Sequence, residues 1–290
     1  MLFEAALSIR WRELRHDMLP VVMLSILDVV ITAVVVAAGM VKLLAWPTAS
    51  AVVFGVLIAA TDPIAVVAMF KDTGIKGRLR LLVESESLFN DGVAAVLFSL
   101  ALTWAQATGS SRLGMVTVAS TLAVMTAGGI LVGVIWGAAA VMLAGRTSDH
   151  LVQAAVTAVA AYGAFLLAEN FYFSGVLATV STGLIMGNVG GLREDKNRNV
   201  FSAGARSFVI GLWEFGAFLA NSLIFLLIGL SLAPLMRVDA EAMVLAVGLV
   251  LVGRALSVYP VCLSFRLRYG PYLCASNTSS GGADCEERWH

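Results

Sequence analysis

The chain has 290 residues, 59% hydrophobic and only 13% charged, with zero formal net charge and a mean hydropathy of +0.90. A soluble domain is about 45–50% apolar and about 25% charged, so an ordinary soluble globule is excluded, and the neutral balance gives no case for nucleic-acid binding. The apolar excess runs along the whole length, as in an all-α polytopic membrane protein.

A hydrocarbon core of about 30 Å is crossed by about 20 apolar residues in a helix. Eight stretches qualify in chain order: 19–44, 49–70, 81–104, 116–144, 151–168, 174–189, 208–233 and 242–264. The sixth is short and glycine-rich, which predicts a helix half-buried in the bundle. The span His150–Leu167 is alanine-rich, which allows close helix packing. Gly190–Arg206 is polar and predicts a surface connection or an interfacial helix. No cleavable signal peptide is expected, because Glu4 and Arg10 interrupt the first stretch.

Loop charges test this segmentation. With the N-terminus inside, the inner connections hold Arg10, Arg12, Arg15, Lys71, Lys76, Arg78, Arg80, Arg146, Arg193, Lys196, Arg198, Arg206, Arg266 and Arg268. The outer ones hold only Lys42, Arg112 and Arg237. That asymmetry is the positive-inside pattern, and one miscounted span would scramble it.

Against this background the polar residues within spans are costly and point to an ion or proton path. Asp62 lies in Thr61-Asp62-Pro63, and Asp91 in Glu86-Ser87-Leu88-Phe89-Asn90-Asp91-Gly92 on the next span. From Lys71 back to Asp62, and from Arg80 on to Asp91, the helical rise gives about 14 and 17 Å. Both carboxylates are therefore expected near the middle of the core, approached from the same side. Pro63 removes a backbone donor and disfavours helix at Asp62, so a carbonyl near Ala59 loses its partner. Irregular backbone at this depth survives only inside protein or beside a water-filled cavity. The carbonyl, the Thr61 hydroxyl and the Asp62 carboxylate form a hard-oxygen set suited to a sodium-like cation. The structural alternative is a proline kink with Thr61 and Asp62 capping a half-helix.

In the third span, Glu86 and Asn90 are four apart, as are Ser87 and Asp91, so each pair shares a helix face. Asp91 and Ser87 can face Asp62, while Glu86 and Asn90 turn toward another helix. For Asp91 the structural alternative is a buried acid locking the bundle; for Glu86 a structural ion pair is the favoured reading. Burial disfavours a charged carboxylate and a bound cation restores it. One site can then hold a proton or a cation in turn, and moving it between the two faces exchanges one for the other. Arg254, at the middle of the eighth span, needs an acid; Asp28 and Glu214 are the candidates, with a structural role favoured. Asn221 is expected to hydrogen-bond across helices, as packing or near the ion path.

The two motifs together resemble the monovalent cation–proton antiporter family of sodium/proton exchangers. Leu2-Phe3-Glu4, the run Asn221–Gly229 and Gly253-Arg254-Ala255-Leu256-Ser257 match in the family's order. The resemblance implies a twelve- or thirteen-span fold with inverted repeats and crossed, unwound helices. It also implies a homodimer, alternating access by a sliding bundle, and Na⁺ or K⁺ exchanged for H⁺. It places Asp62 and Asp91 at the ion site, with Thr61 and Ser87 as accessory oxygen ligands, and pairs Glu86 with an arginine on a late span. Asn90-Asp91 in place of Asp-Asp resembles the electroneutral branch. No cofactor and no enzymatic reaction are implied, and a multi-pass protein of the cell membrane is expected, in a bacterial plasma membrane.

Two departures bear on the ends. Against the family, the chain starts late, and residues 1–270 form a partial transmembrane domain. Residues 271–290 form a polar, cysteine-bearing tail unlike a membrane protein. An out-of-frame reading of Ala283–His290 permits Gly-Gly-Leu-Arg-Gly-Ala-Leu-Ala, so a frameshift between about Gly270 and Ala275 is expected. It would leave Glu86 without its arginine, and an inactive remnant is the alternative function. A channel would need a filter-like repeat, and an intramembrane hydrolase a Ser–Lys, Ser–His, paired-acid or zinc motif; none is visible. His16, His150 and His290 fall in connections or the tail.

Overall fold

The computed structural model describes residues 2–61, 66, 69–70, 78–106, 115–192, 200–201, 203–232 and 240–269. Asp62, Pro63 and the tail 271–290 lie outside them. Among the described residues the regular elements are helices: α1 (Leu2–Ser8), α2 (Trp11–Leu44), α3 (Thr48–Ala59), α4 (Arg78–Gln106), α5 (Met115–Ala144), α6 (His150–Asn170), α7 (Gly175–Asn188), α8 (Ala203–Leu232) and α9 (Ala240–Tyr269). Each of the eight predicted spans corresponds to one of α2–α9. Six of these helices are long and apolar enough to cross a membrane, while α3 and α7 are shorter apolar helices.

Helix α2 begins eight residues before its predicted span and, at 34 residues, is about 51 Å long. Its first turns carry Arg12, Glu13, Arg15 and His16, which are helical but too polar for the core, so hydropathy alone misses them. The α1–α2 junction is held by one side chain. The Trp11 N–H donates to Asn188 Oδ1 at 2.8 Å, and Asn188 Nδ2 donates to the carbonyls of Ile9 at 3.0 Å and Leu184 at 2.8 Å.

Helix α3 departs most from its span. It ends at Ala59, and Ala60 is extended with φ −61° and ψ 143°; Val66, Met69 and Phe70 are again helical. Proline at 63 has no N–H to give the Ala59 carbonyl, so the helical ladder cannot continue across it.

The packing forms two groups. Helix α2 packs against α3, α4 and α9, and α7 packs against α1, α5 and α6; α4 touches α5 and α7, and α8 lies against α6. Small residues set the closest approaches. Thr182 Oγ1 donates to the Gly133 carbonyl at 3.0 Å, and a Cβ at Gly133 would collide with the Ala178 backbone. A Cβ at Gly187 would lie 2.6 Å from the Leu7 carbonyl. Without a hydrophobic drive between helices in lipid, such backbone approach supplies the van der Waals contact that holds them. The alanines of α6 serve the same end: Ala154, Ala160, Ala161, Ala164 and Ala168 are buried. The short helix α7 is mostly buried, as its glycine content predicts.

The connection after α7 differs from its prediction as a surface segment. Leu192 and Phe201 are 2% and 1% exposed and join Phe3, Leu7, Met186 and Ala205 in one apolar cluster. The polar run 193–199 between them masks these two anchors in any averaged hydropathy.

Candidate cation site

Helix α4 carries two polar faces. On one, Ser87 is 3% exposed, and its hydroxyl donates to the Thr61 carbonyl at 2.5 Å. That carbonyl lies just past the end of α3, where backbone acceptors have no intrahelical donor. The Thr61 hydroxyl is also buried and has no hydrogen-bond partner among the described residues. Asp91 follows Ser87 by one turn on the same face and is half-buried. Ser87 thus brings its hydroxyl to the Thr61 carbonyl just past the end of α3, with Asp91 one turn further along the same face of α4. Among the described residues no cluster of three His, Cys, Asp or Glu could hold a metal ion. A carbonyl, a hydroxyl and a carboxylate are all hard oxygen donors.

The second face turns toward α2 and α9. Asn90 is fully buried, and its Nδ2 donates to Asp28 Oδ2 at 3.1 Å and to Glu86 Oε1 at 3.5 Å. Asp28, 1% exposed, also accepts a short hydrogen bond from the Ser257 hydroxyl. Arg254 Nη2 lies 3.4 Å from Asp28 Oδ2. Ser25, one turn before Asp28, donates to the Glu86 carbonyl at 3.0 Å. Three helices, α2, α4 and α9, are therefore tied by one carboxylate that faces an amide, a hydroxyl and a guanidinium. A buried acid is tolerable only with such partners.

The predicted residues sort as follows. Thr61 and Ser87 are brought together, and Asp91 shares their face; Glu86, Asn90 and Arg254 gather around Asp28. Between the two partners proposed for Arg254, Asp28 makes the contact, while Glu214 is exposed on α8. Glu86 is met by Asn90, and the guanidinium goes to Asp28. Asn221 is half-buried on α8 and makes no side-chain hydrogen bond among the described residues, contrary to expectation. Helix α8 packs on α6 through Trp213, whose Nε1 donates to Thr157 Oγ1 at 2.9 Å, and this geometry leaves Asn221 away from the cluster. Ser25 and Ser257 were not anticipated. Their signal is the i,i+3 spacing, Ser25 before Asp28 and Ser257 after Arg254, which puts each serine on the helix face of a charged residue, from where Ser25 reaches the Glu86 carbonyl and Ser257 reaches Asp28.

Comparison with known proteins bears on this arrangement. A family model described as sodium/hydrogen exchanger, transmembrane, matches residues 1–281. The chain belongs to the sodium/hydrogen exchanger family. The Na(+)/H(+) antiporter ApNhaP of Aphanothece halophytica is 36% identical over 261 residues, covering 89% of this chain and 48% of the relative. The low-affinity Na(+)/H(+) antiporter NhaS1 of Synechocystis is 36% identical over 270 residues, covering 91% and 49%. The chain thus spans about half the length of these curated relatives. Among solved structures, the sodium proton antiporter MjNhaP1 from Methanocaldococcus jannaschii superposes with a TM-score of 0.71 over 90% of this chain and 63% of that one, at 22% identity. The likeness shows that the chain has the exchanger fold. With its apolar helices, family membership makes it a multi-pass membrane protein.

Proposed function

We propose that this chain carries out secondary antiport of sodium against protons, with Asp62 and Asp91 as the titrating groups and Thr61 and Ser87 as accessory oxygen ligands. The observation that carries the reading is the end of α3 at Ala59, with the Thr61 carbonyl against Ser87 one turn before Asp91. In an exchanger fold, that unwound backbone supplies oxygens without a permanent countercharge. The two carboxylates then decide occupancy: protonated, the site releases its cation; ionised, it takes one. A proton and a cation compete for the same oxygens, so one site moved between two faces couples their fluxes.

Asp28, Asn90, Glu86 and Arg254 have a different role in this reading. They hold α4 in register against α2 and α9, so that the Asp91 face meets the end of α3. The functional unit is assigned to residues 1–270, with no part given to the tail 271–290. Sodium is the proposed cation, because the relatives are Na(+)/H(+) antiporters. A homodimer and electroneutral exchange complete the proposal.

The test is cation-driven proton movement in everted vesicles carrying the full chain. Sodium should dissipate a preformed pH gradient, and Asp91→Asn should abolish the response while leaving membrane expression intact. Unchanged exchange in Asp91→Asn would remove the site assignment, and a response to potassium but not sodium would overturn the choice of cation.

A further inference from the structure

Away from the ion site, α5 and α6 form an antiparallel hairpin that opens a groove of about 570 Å³ on its outer face. Its wall is apolar, with Leu143, Val152 and Val159 exposed along it, and alanines such as Ala155 make its floor low. Trp136 lines one end and Arg146 the other. Arg146 follows Trp136 by ten residues, eight of them helical, or about 12–15 Å, which is about half the hydrocarbon core and so the depth of one leaflet.

The mouth of the groove is built. Gln153, 1% exposed, donates from Nε2 to the carbonyls of Ala144 at 3.1 Å and Thr147 at 2.8 Å. This fixes the turn that carries Arg146. The nearest acid on the turn, Asp149, is engaged in capping α6 through the Leu151 N–H at 2.8 Å. The Arg146 guanidinium is exposed and has no ion pair among the described residues. By the distribution of loop cations, this turn lies at the inner membrane surface. An apolar channel one leaflet deep, ending at headgroup level in a cation unpaired among the described residues, matches one ligand: a lipid with an acyl chain and an anionic phosphate.

We propose that the α5–α6 groove is a binding site for one anionic glycerophospholipid of the inner leaflet, its acyl chain lying between Trp136 and Val152 and its phosphate at Arg146. This site is separate from the cation path and does not depend on the antiport reading.

The experiment is native mass spectrometry of the full chain in detergent, titrated with palmitoyl-oleoyl phosphatidylglycerol. Wild type is expected to keep one lipid more tightly than the rest. A surface cation contributes about 1 kcal/mol to binding an anionic lipid, so Arg146→Gln should weaken that first adduct about fivefold. The same loss is expected when phosphatidylcholine replaces phosphatidylglycerol. Ala155→Trp, at an exposed position, should block the groove and abolish the tight adduct, while Leu226→Trp on the exposed face of α8 should not. Equal binding of both lipids, or equal loss in Leu226→Trp, would mean annular lipid only and overturn the proposal. Displacement of the lipid by inorganic phosphate would mean an anion site without an acyl groove and overturn it as well. Because Arg146 lies in an exposed turn, Arg146→Gln tests the proposal even if Ala155→Trp fails to fold.

Discussion

Replacing Asp28 by leucine should show how much the three-helix polar cluster contributes. Asp28 is 1% exposed, accepts from Asn90 Nδ2 at 3.1 Å and from Ser257, and faces Arg254 Nη2 at 3.4 Å. Asp28→Leu removes all three contacts and leaves the guanidinium without its acid. Stranding one member of a buried pair costs about 3–5 kcal/mol. The Arg254 side chain is 33% exposed and keeps part of its hydration, so the lower end, about 3 kcal/mol, is expected. Asp28→Asn keeps one of the two acceptor oxygens that Asn90 and Ser257 use and loses the other with the charge, so about 2 kcal/mol is expected. The double variant Asp28→Leu/Arg254→Met removes both charges and should recover about half of the single variant's loss. Sodium dodecyl sulfate titration of the protein in mixed micelles, followed by circular dichroism, reads these differences as midpoint shifts. The reasoning fails if Asp28→Leu lies within about 0.5 kcal/mol of wild type, or if the two substitutions simply add.

Other positions allow independent checks. Gly133→Val puts a Cβ into the Ala178 backbone and should cost about 1–3 kcal/mol, the usual range for overpacking, visible as a lowered melting temperature. Ser87→Ala deletes the donor to the Thr61 carbonyl; stability should fall by about 1–2 kcal/mol, and half-saturation for sodium in the vesicle assay should rise while the maximal rate changes less. Asn188→Leu removes the two hydrogen bonds that tie α7 to the α1–α2 junction. It should make Arg10 and Arg12 cleavable by trypsin several-fold faster, with unchanged cleavage meaning that Asn188 is dispensable there.

Much of the fold is legible in the sequence because lipid enforces a simple rule. A buried backbone must satisfy itself, so apolar runs of sufficient length become helices. The break of α3 was also legible, since Pro63 withholds a donor at a countable position. Harder to read were residues whose role depends on a neighbour across space. Leu192 and Phe201 flank a polar run and looked like loop, yet they fill the space between helices. Asn221 carried the same polar signal as Asn90, but α8 sits outside the cluster that α2, α4 and α9 enclose. Arg254 could equally have taken Asp28 or Glu214, because both acids lie on apolar helices and nothing local distinguishes them.

The linear order of apolar and charged residues by itself determined the spans and the two faces of α4, since helical periodicity and the cost of burying charge act along one chain. Only the tertiary structure decided that Asp28 is the acid at which α2, α4 and α9 converge, and that Ser87 reaches the unwound end of α3. Those outcomes depend on which helices become neighbours. Close approach at small residues such as Gly133 and Gly187 sets that choice, and it is a property of paired surfaces that no single segment carries.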